Sequence, residues 1–271
     1  MLDWPHKSRR EFSQMTRNGD PLSIARQLQQ ADLFSITPRL VADLFGVDRA
    51  QSYAWLDQLQ GRGLVAAVEK GKYLLLGLEP ERILSNPLFI ATQLVTPAYV
   101  SFWSALHYHG LTEQVPRTVL VATTRKKQPV TFGGHSFRYV HIQPHRFFGY
   151  QREMLGGLPV LVADQAKALV DSLALPRYAG GVAEVSRCLA LALPDLDLTV
   201  LVEYANRMGD RSLASRLGYL LERLGRAVDG LHPSAGPVLL DPQGGSPSSY
   251  DSRWRVRINL SNDEVRSGGV G

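Results

Sequence analysis

ITPRLVADLFGVDRAQSYAWLDQLQGRGLVAAVEKGKYLLLG, residues 36–77, contains two separately punctuated helix patterns followed by a change of period. Thr37 supplies a capping hydroxyl, Pro38 suits the first helical position, Leu40, Val41 and Leu44 form an apolar stripe, and Gly46 stops the helix. After a tight turn, Asp48 caps a second helix in which Trp55, Leu56 and Leu59 share a face with Ser52, and Gly61 and Gly63 close its end. Beyond Leu64 the chain reads VAAV, then EKGK around Gly71, then YLLLG, the pattern of two short strands joined by a glycine turn. Upstream, PLSIARQLQQAD places Ile24, Leu28 and Ala31 at helical spacing behind Asp20, a further cap. Three helices and a hairpin in this order predict a winged helix-turn-helix over residues 1–78.

Outward from that unit, the stretch from Leu78 to Pro97 is interrupted by Pro80, Pro87 and Pro97 and reads as a linker, 79–97, with one or two short helices. A larger mixed α/β domain is expected over 98–228. It begins with the helix SFWSALHYHGL, continues through strand-like TVLVATT and a basic turn RKKQP, and forms a hairpin at Gly133-Gly134 within VTFGGHSFRYVHI. LPVLVAD reads as a strand ending at a capping Asp164, after which QAKALVDSLALP, GGVAEVSRCLALAL, LTVLVEYANRMG and SLASRLGYLLERLG read as a helical bundle. From Asp229 the chain is loop-rich, with RWRVRINL as an edge-strand pattern. The predicted fold class is therefore α+β, with a tail over 229–271.

With 271 residues, 44% of them hydrophobic, the chain has material for two cores. No apolar run approaches the roughly 20 residues that cross a bilayer, and MLDWPHKSRREF lacks the apolar stretch of a secretory leader, so a cytoplasmic location is expected. Cys188, the single cysteine, cannot form an internal disulfide, and its setting in VSRCLALAL reads as a buried, inert thiol. The net charge of +5 is unevenly placed: Gln114 to Arg152 carries seven Lys or Arg and no acid. Such a field attracts phosphates, although it also suits solubility or an acidic protein partner.

In a helix-turn-helix the outer N-terminal residues of the third helix meet base edges while its inner face is held by the other two. Arg49, Gln51, Tyr53 and Ala54 occupy that region. Arg49 matches the two acceptors of guanine and Gln51 matches adenine, whereas Tyr53 can stack, touch a thymine methyl or donate to a phosphate. Lys70 and Lys72 flank Gly71 at the hairpin tip, where a cation reaches a phosphate or the minor groove, and Arg39 opens helix two as a phosphate contact. The alternative is an ordinary polar surface or a protein-binding helix-turn-helix. Arg125, Lys126 and Lys127, where a strand leaves the sheet, read equally as phosphate or partner contacts and as a solvated turn.

His107 and His109 diverge on a helix, and His135, His141 and His145 have no carboxylate beside them, so no metal is expected. Nucleophile-elbow, phosphate-loop and paired-cysteine motifs are missing from the sequence, and neither an enzyme nor a cofactor is expected. A nucleic-acid-processing enzyme using second-domain His and Asp with a metal is the weakest alternative.

Taken with the helix-turn-helix, the ordered series YVSFWSALHYHGLTEQVP, TVLVATTRKK, FRYVHI, FFGY, VLVADQAKALVDSL, PRYAGG and RLGYLLERLG resembles the AbiEi family of antitoxins and transcriptional regulators, over about Pro21 to Gly225. The resemblance implies an autorepressor that binds inverted-repeat promoter DNA through the winged helix and counters a nucleotidyltransferase-like toxin through its C-terminal domain, as in type IV toxin-antitoxin systems. It implies that neutralisation proceeds with or without a stable toxin complex. Tyr99, Trp103, Tyr108, Arg125, Lys126, Asp164, Lys167 and Asp171 lie in the matching motifs, where Trp103 and Tyr108 also suit a core, Asp164 a cap, and Lys167 an i,i+4 pair with Asp171. The competing reading is a stand-alone winged-helix transcription factor whose second domain senses a ligand or mediates assembly.

Overall fold

The computed structural model describes residues 20–266. MLDWPHKSRREF, read above for a leader, lies outside the described residues, as does the end of the tail from 267 on. The chain is α+β and divides into two compact units, one reaching to Leu94 and taking in Leu155–Leu158, the other formed by Val95–Met154 and the chain from Pro159.

The first unit follows its punctuation closely. Helix α1 (Pro21–Gln30) is capped by the Asp20 carboxylate, which accepts from Ser23 N at 3.0 Å, and buries Ile24, Ala25 and Leu28. Helix α2 (Pro38–Phe45) is capped by Thr37 Oγ1, which accepts from Leu40 N at 3.1 Å. It ends at Gly46, whose φ of 67° lets its N–H donate to Ala42 O in a left-handed conformation that side-chain-bearing residues avoid. Helix α3 (Arg49–Gly61) starts from Asp48, which accepts from Gln51 N at 2.8 Å. Its inner face is Ser52, Trp55, Leu56 and Leu59, and Trp55 meets Phe45 of α2 edge-on at 5.7 Å. Each buried leucine contributes about 1.5–3 kcal/mol relative to an exposed one.

Strands β2 (Val65–Glu69) and β3 (Lys72–Leu75) pair antiparallel across the Lys70-Gly71 turn, and a two-residue strand β1 (Ser35–Ile36) adds to β3 to give the order β1-β3-β2. The segment read as a linker with one or two short helices forms α4 (Pro80–Leu84) and α5 (Pro87–Gln93). Both belong to the first unit because they carry apolar side chains into it: Ile83, Phe89 and Ile90 are buried, and Phe89 packs edge-on against Phe34 at 4.9 Å. The Arg82 guanidinium donates to Gly156 O and Gly157 O at 2.9 and 2.8 Å, which ties the short piece Leu155–Leu158 to the same unit.

The second unit is built on a mixed six-stranded sheet of order β6-β7-β5-β4-β9-β8. Its strands are β4 (Ala98–Val100), β5 (Thr118–Thr123), β6 (Val130–Phe132), β7 (His135–His141), β8 (Tyr150–Leu155) and β9 (Leu158–Ala163). The Gly133-Gly134 hairpin is present, with Phe132 opposite His135, and β7 returns parallel to β5 from Thr118↔Ser136 to Thr123↔His141. Helix α6 (Phe102–Tyr108) follows β4, and the helical half consists of α7 (Gln165–Ala174), α8 (Val182–Ala192), α9 (Leu198–Arg207) and α10 (Arg211–Arg223). Helix α7 is buried from Ala166 through Leu173, so it is the centre of this half.

The tail is more ordered than its composition predicts. Strands β10 (Val238–Leu239), β11 (Ser249–Asp251) and β12 (Val256–Ile258) form a small sheet in which β12 is the middle strand rather than an edge. Trp254 is buried against Gly218 of α10 and donates from Nε1 to Glu222 at 2.5 Å, while Arg216 reaches Leu239 O at 2.9 Å. A short helix α11 (Asn262–Arg266) packs on α8, where Ser186 Oγ donates to Val265 O at 2.8 Å.

Candidate nucleic-acid interface

The capping that builds α3 also decides which of its residues face water. With Ser52, Trp55, Leu56 and Leu59 turned inward, Arg49, Gln51, Tyr53 and Ala54 are left exposed, and the Arg49 guanidinium lies 5.8 Å from the Tyr53 ring centroid. A cation over a ring face is held by the ring quadrupole, so Tyr53 restrains Arg49 while its five donors stay available. Tyr73 of β3 extends this surface. Its phenol is pushed above the usual range by burial, then by the Asp57 carboxylate and by Tyr53.

Arg39 projects from the start of α2 with 92% of its side chain exposed and a loose ion pair to Asp43 at 3.7 Å. Lys70 and Lys72 are exposed at the β2–β3 turn, and Lys72 pairs with Glu69 at 3.4 Å. Pairs of this exposure contribute little and exchange readily for another anion.

The described part of the first unit carries seven Lys or Arg against eight Asp or Glu. Cationic character is therefore local. Asp20 and Asp48 are turned to helix N–H groups as caps, and Glu79 is paired with Arg82 at 3.0 Å.

The basic run of the second unit does not form one patch. Arg125 and Lys126 are exposed just after β5, whereas Lys127 is half-buried with its ammonium 5.4 Å from the Tyr139 ring. Arg146 is half-buried beside Asp210 at 3.9 Å, and Arg117 and Arg138 line a separate cleft with Trp103. The motif residues Tyr99, Asp164, Lys167 and Asp171 come together in the interior. Lys167 is fully buried and its ammonium contacts the Asp171 carboxylate, whose other oxygen accepts from Tyr99 OH at 3.0 Å and Ser101 Oγ at 2.8 Å. Burial lowers the Lys167 pKa against the opposing pull of Asp171, and burial followed by Asp171 raises the Tyr99 phenol. Asp164 caps α7 through Lys167 N at 2.8 Å and accepts from Tyr204 OH at 3.0 Å. Tyr108 is half-buried beside Glu153, whose charge adds to burial in raising its phenol.

Two histidines of α6 and its end are occupied by main-chain carbonyls: His107 Nδ1 lies 3.3 Å from Thr112 O and His109 Nε2 lies 2.7 Å from Ala163 O. Among the described residues no group of three or more His, Cys, Asp or Glu could hold a metal ion. Cys188 is buried on α8, and burial pushes its thiol up to about 12. No helix among the described residues is long and apolar enough to cross a membrane.

No family model and no curated protein matches the sequence. Among solved structures, the Rv2827c protein from Mycobacterium tuberculosis is similar, with a TM-score of 0.55 and 15% identity over 91% of this chain and 94% of that one. At this identity the likeness is one of fold.

Proposed function

We propose that the chain is a DNA-binding autorepressor and antitoxin of a type IV toxin-antitoxin operon. In this reading α1–α3 with the β2–β3 hairpin are a winged helix-turn-helix, and the second unit counters a nucleotidyltransferase-like toxin. The observation that carries it is the division of α3 into a buried face and an outward face that presents Arg49, Gln51 and Tyr53 together at its N-terminal half. Those are residue types that read base edges in the major groove, and the exposed Lys70 and Lys72 suit a neighbouring phosphate. A near-neutral unit binds by placement of a few cations rather than by a general field, so specific contacts outweigh non-specific attraction. An inverted repeat presents two half-sites about one helical turn apart, and two copies of the chain would occupy it.

The test is genetic. The chain, expressed beside a reporter fused to its own upstream region, should repress that reporter, and Arg49→Ala should release it. Co-expression with the neighbouring toxin-like gene should restore growth. Repression without rescue would leave the second reading, a stand-alone regulator whose second unit senses a ligand, which the Arg-lined cleft beside Trp103 favours.

A further inference from the structure

The cleft occupies ≈ 550 Å³ and lies wholly within the second unit, between α6, the start of β5, the β6–β7 hairpin and the turn of residues Pro176–Tyr178. That volume is in the range of small-molecule sites. Its lining has two chemical sides. Arg117, Arg138 and Arg177 are exposed along it, no Asp or Glu lines it, and no carboxylate pairs with any of the three among the described residues. Trp103 and Tyr178 supply aromatic surface over the buried Phe137, and the Arg177 guanidinium sits 4.9 Å from the Tyr178 ring.

Trp103 is fixed rather than loose. A Cβ on Gly180, whose φ is 75°, would lie 3.2 Å from the Trp103 ring and 3.2 Å from Glu184 Cβ, so the close approach there depends on glycine. Glu184 itself is neutralised by Arg187 at 2.9 Å and accepts from Thr112 Oγ1 at 2.8 Å. The Trp103 indole N–H is buried without a hydrogen-bond partner. Having no exposed area, that donor is not reached from the cleft, so Trp103 serves the cleft through its ring.

We infer that this cleft is a binding site for a nucleoside polyphosphate, with Arg117, Arg138 and Arg177 taking the phosphates and Trp103 and Tyr178 the base. Three guanidinium groups unmatched by acid exceed what one carboxylate neutralises and match a polyphosphate chain in charge and in fork geometry. Flat aromatic faces beside them suit a base, since every base presents a π-face to stack. The inference goes beyond the DNA-binding reading and does not rest on it, because every residue involved lies outside the first unit.

The experiment uses the full chain and a fluorescent ATP analogue, mant-ATP, followed by anisotropy. Binding should saturate at one equivalent, and unlabelled ATP should displace the probe, whereas adenosine and inorganic triphosphate should each compete at least about tenfold less well. Arg117→Ala and Arg138→Ala should each weaken binding about tenfold, the loss of one charge-assisted contact. Trp103→Leu, which removes the aromatic ring, should weaken it a few-fold. Arg226→Ala, exposed and outside the cleft, should leave it unchanged, and all variants should keep the wild-type melting temperature. Absence of saturable binding at millimolar probe would overturn the site. So would triphosphate or a random DNA duplex competing as well as ATP, or Arg226→Ala weakening binding as much as the cleft variants.

Discussion

The two units place their charge in opposite ways. In the first, the cationic side chains stand at the surface, Asp20 and Asp48 cap helices, and the buried polar side chains are Gln27, Ser52 and Thr92. In the second, a complete Lys-Asp pair with its Tyr and Ser donors is sealed inside, while Arg117 and Arg138 line a cleft, Arg125 lies on an exposed turn and Arg146 meets Asp210. Surface charge that is loosely paired can be exchanged for a phosphate at small cost, whereas a buried pair is held only as long as both partners remain. The same residue types are therefore held at the surface in one unit and, at Lys167 and Asp171, built into the interior of the other.

The largest effect expected from this contrast is in the interior of the second unit. Asp171→Ala strips Lys167, Tyr99 and Ser101 of one shared acceptor and should cost about 3–5 kcal/mol in urea unfolding. Adding Lys167→Met should recover part of that loss. A loss below about 1 kcal/mol would mean that water reaches the pair and that the contrast is overstated.

Next in size is Leu59→Ala on the inner face of α3, which should cost about 2–5 kcal/mol through the cavity it leaves. Followed by amide exchange, the loss should fall on the first unit and spare α7. Equal loosening of both would show that they unfold as one body.

Smaller again are the surface changes. Arg49→Ala should remove about 1–3 kcal/mol of discrimination between operator and random DNA, whereas Lys70→Ala should weaken both and flatten the salt slope by about one unit. Indistinguishable effects of the two variants would erase the division between reading and positioning.

The smallest effect at neutral pH belongs to Cys188→Ala, about 1 kcal/mol. Its signature is the pH dependence. The folded thiol is raised to about 12 from 9.0, so its contribution is complete below pH 9.0 and is lost as pH rises toward 12, where the unfolded chain ionises first. Urea midpoints of wild type should fall more steeply across that window than those of the variant, and parallel curves would contradict the buried thiol.

How much of this was readable in the sequence follows the range of the interactions. The caps Asp20, Thr37, Asp48 and Asp164 act within three residues, and each lies where spacing predicts it. Strand β1 has two residues and exists only because Leu74 and Tyr73 lie opposite it, so no local period marks it. Strand β4 is three buried residues just after the supposed linker, and β8 is largely exposed without apolar alternation. Both are defined by the sheet they join. The i,i+4 spacing of Lys167 and Asp171 was visible, but their complete burial came from Tyr99, Phe148 and Met208, brought from elsewhere in the chain. The cleft was illegible for the same reason: its arginines are spread from Arg117 to Arg177 along the sequence.

The most direct test of the DNA-binding account is the affinity of the purified full chain for its own upstream DNA and for a shuffled duplex, measured at two salt concentrations. The account predicts preference for the upstream duplex at both salts, a shallow salt slope set by a few phosphate contacts, and loss of the preference in Arg49→Ala. Equal binding of the two duplexes, or a preference untouched by Arg49→Ala, would contradict it and leave the outer face of α3 as a protein-binding surface.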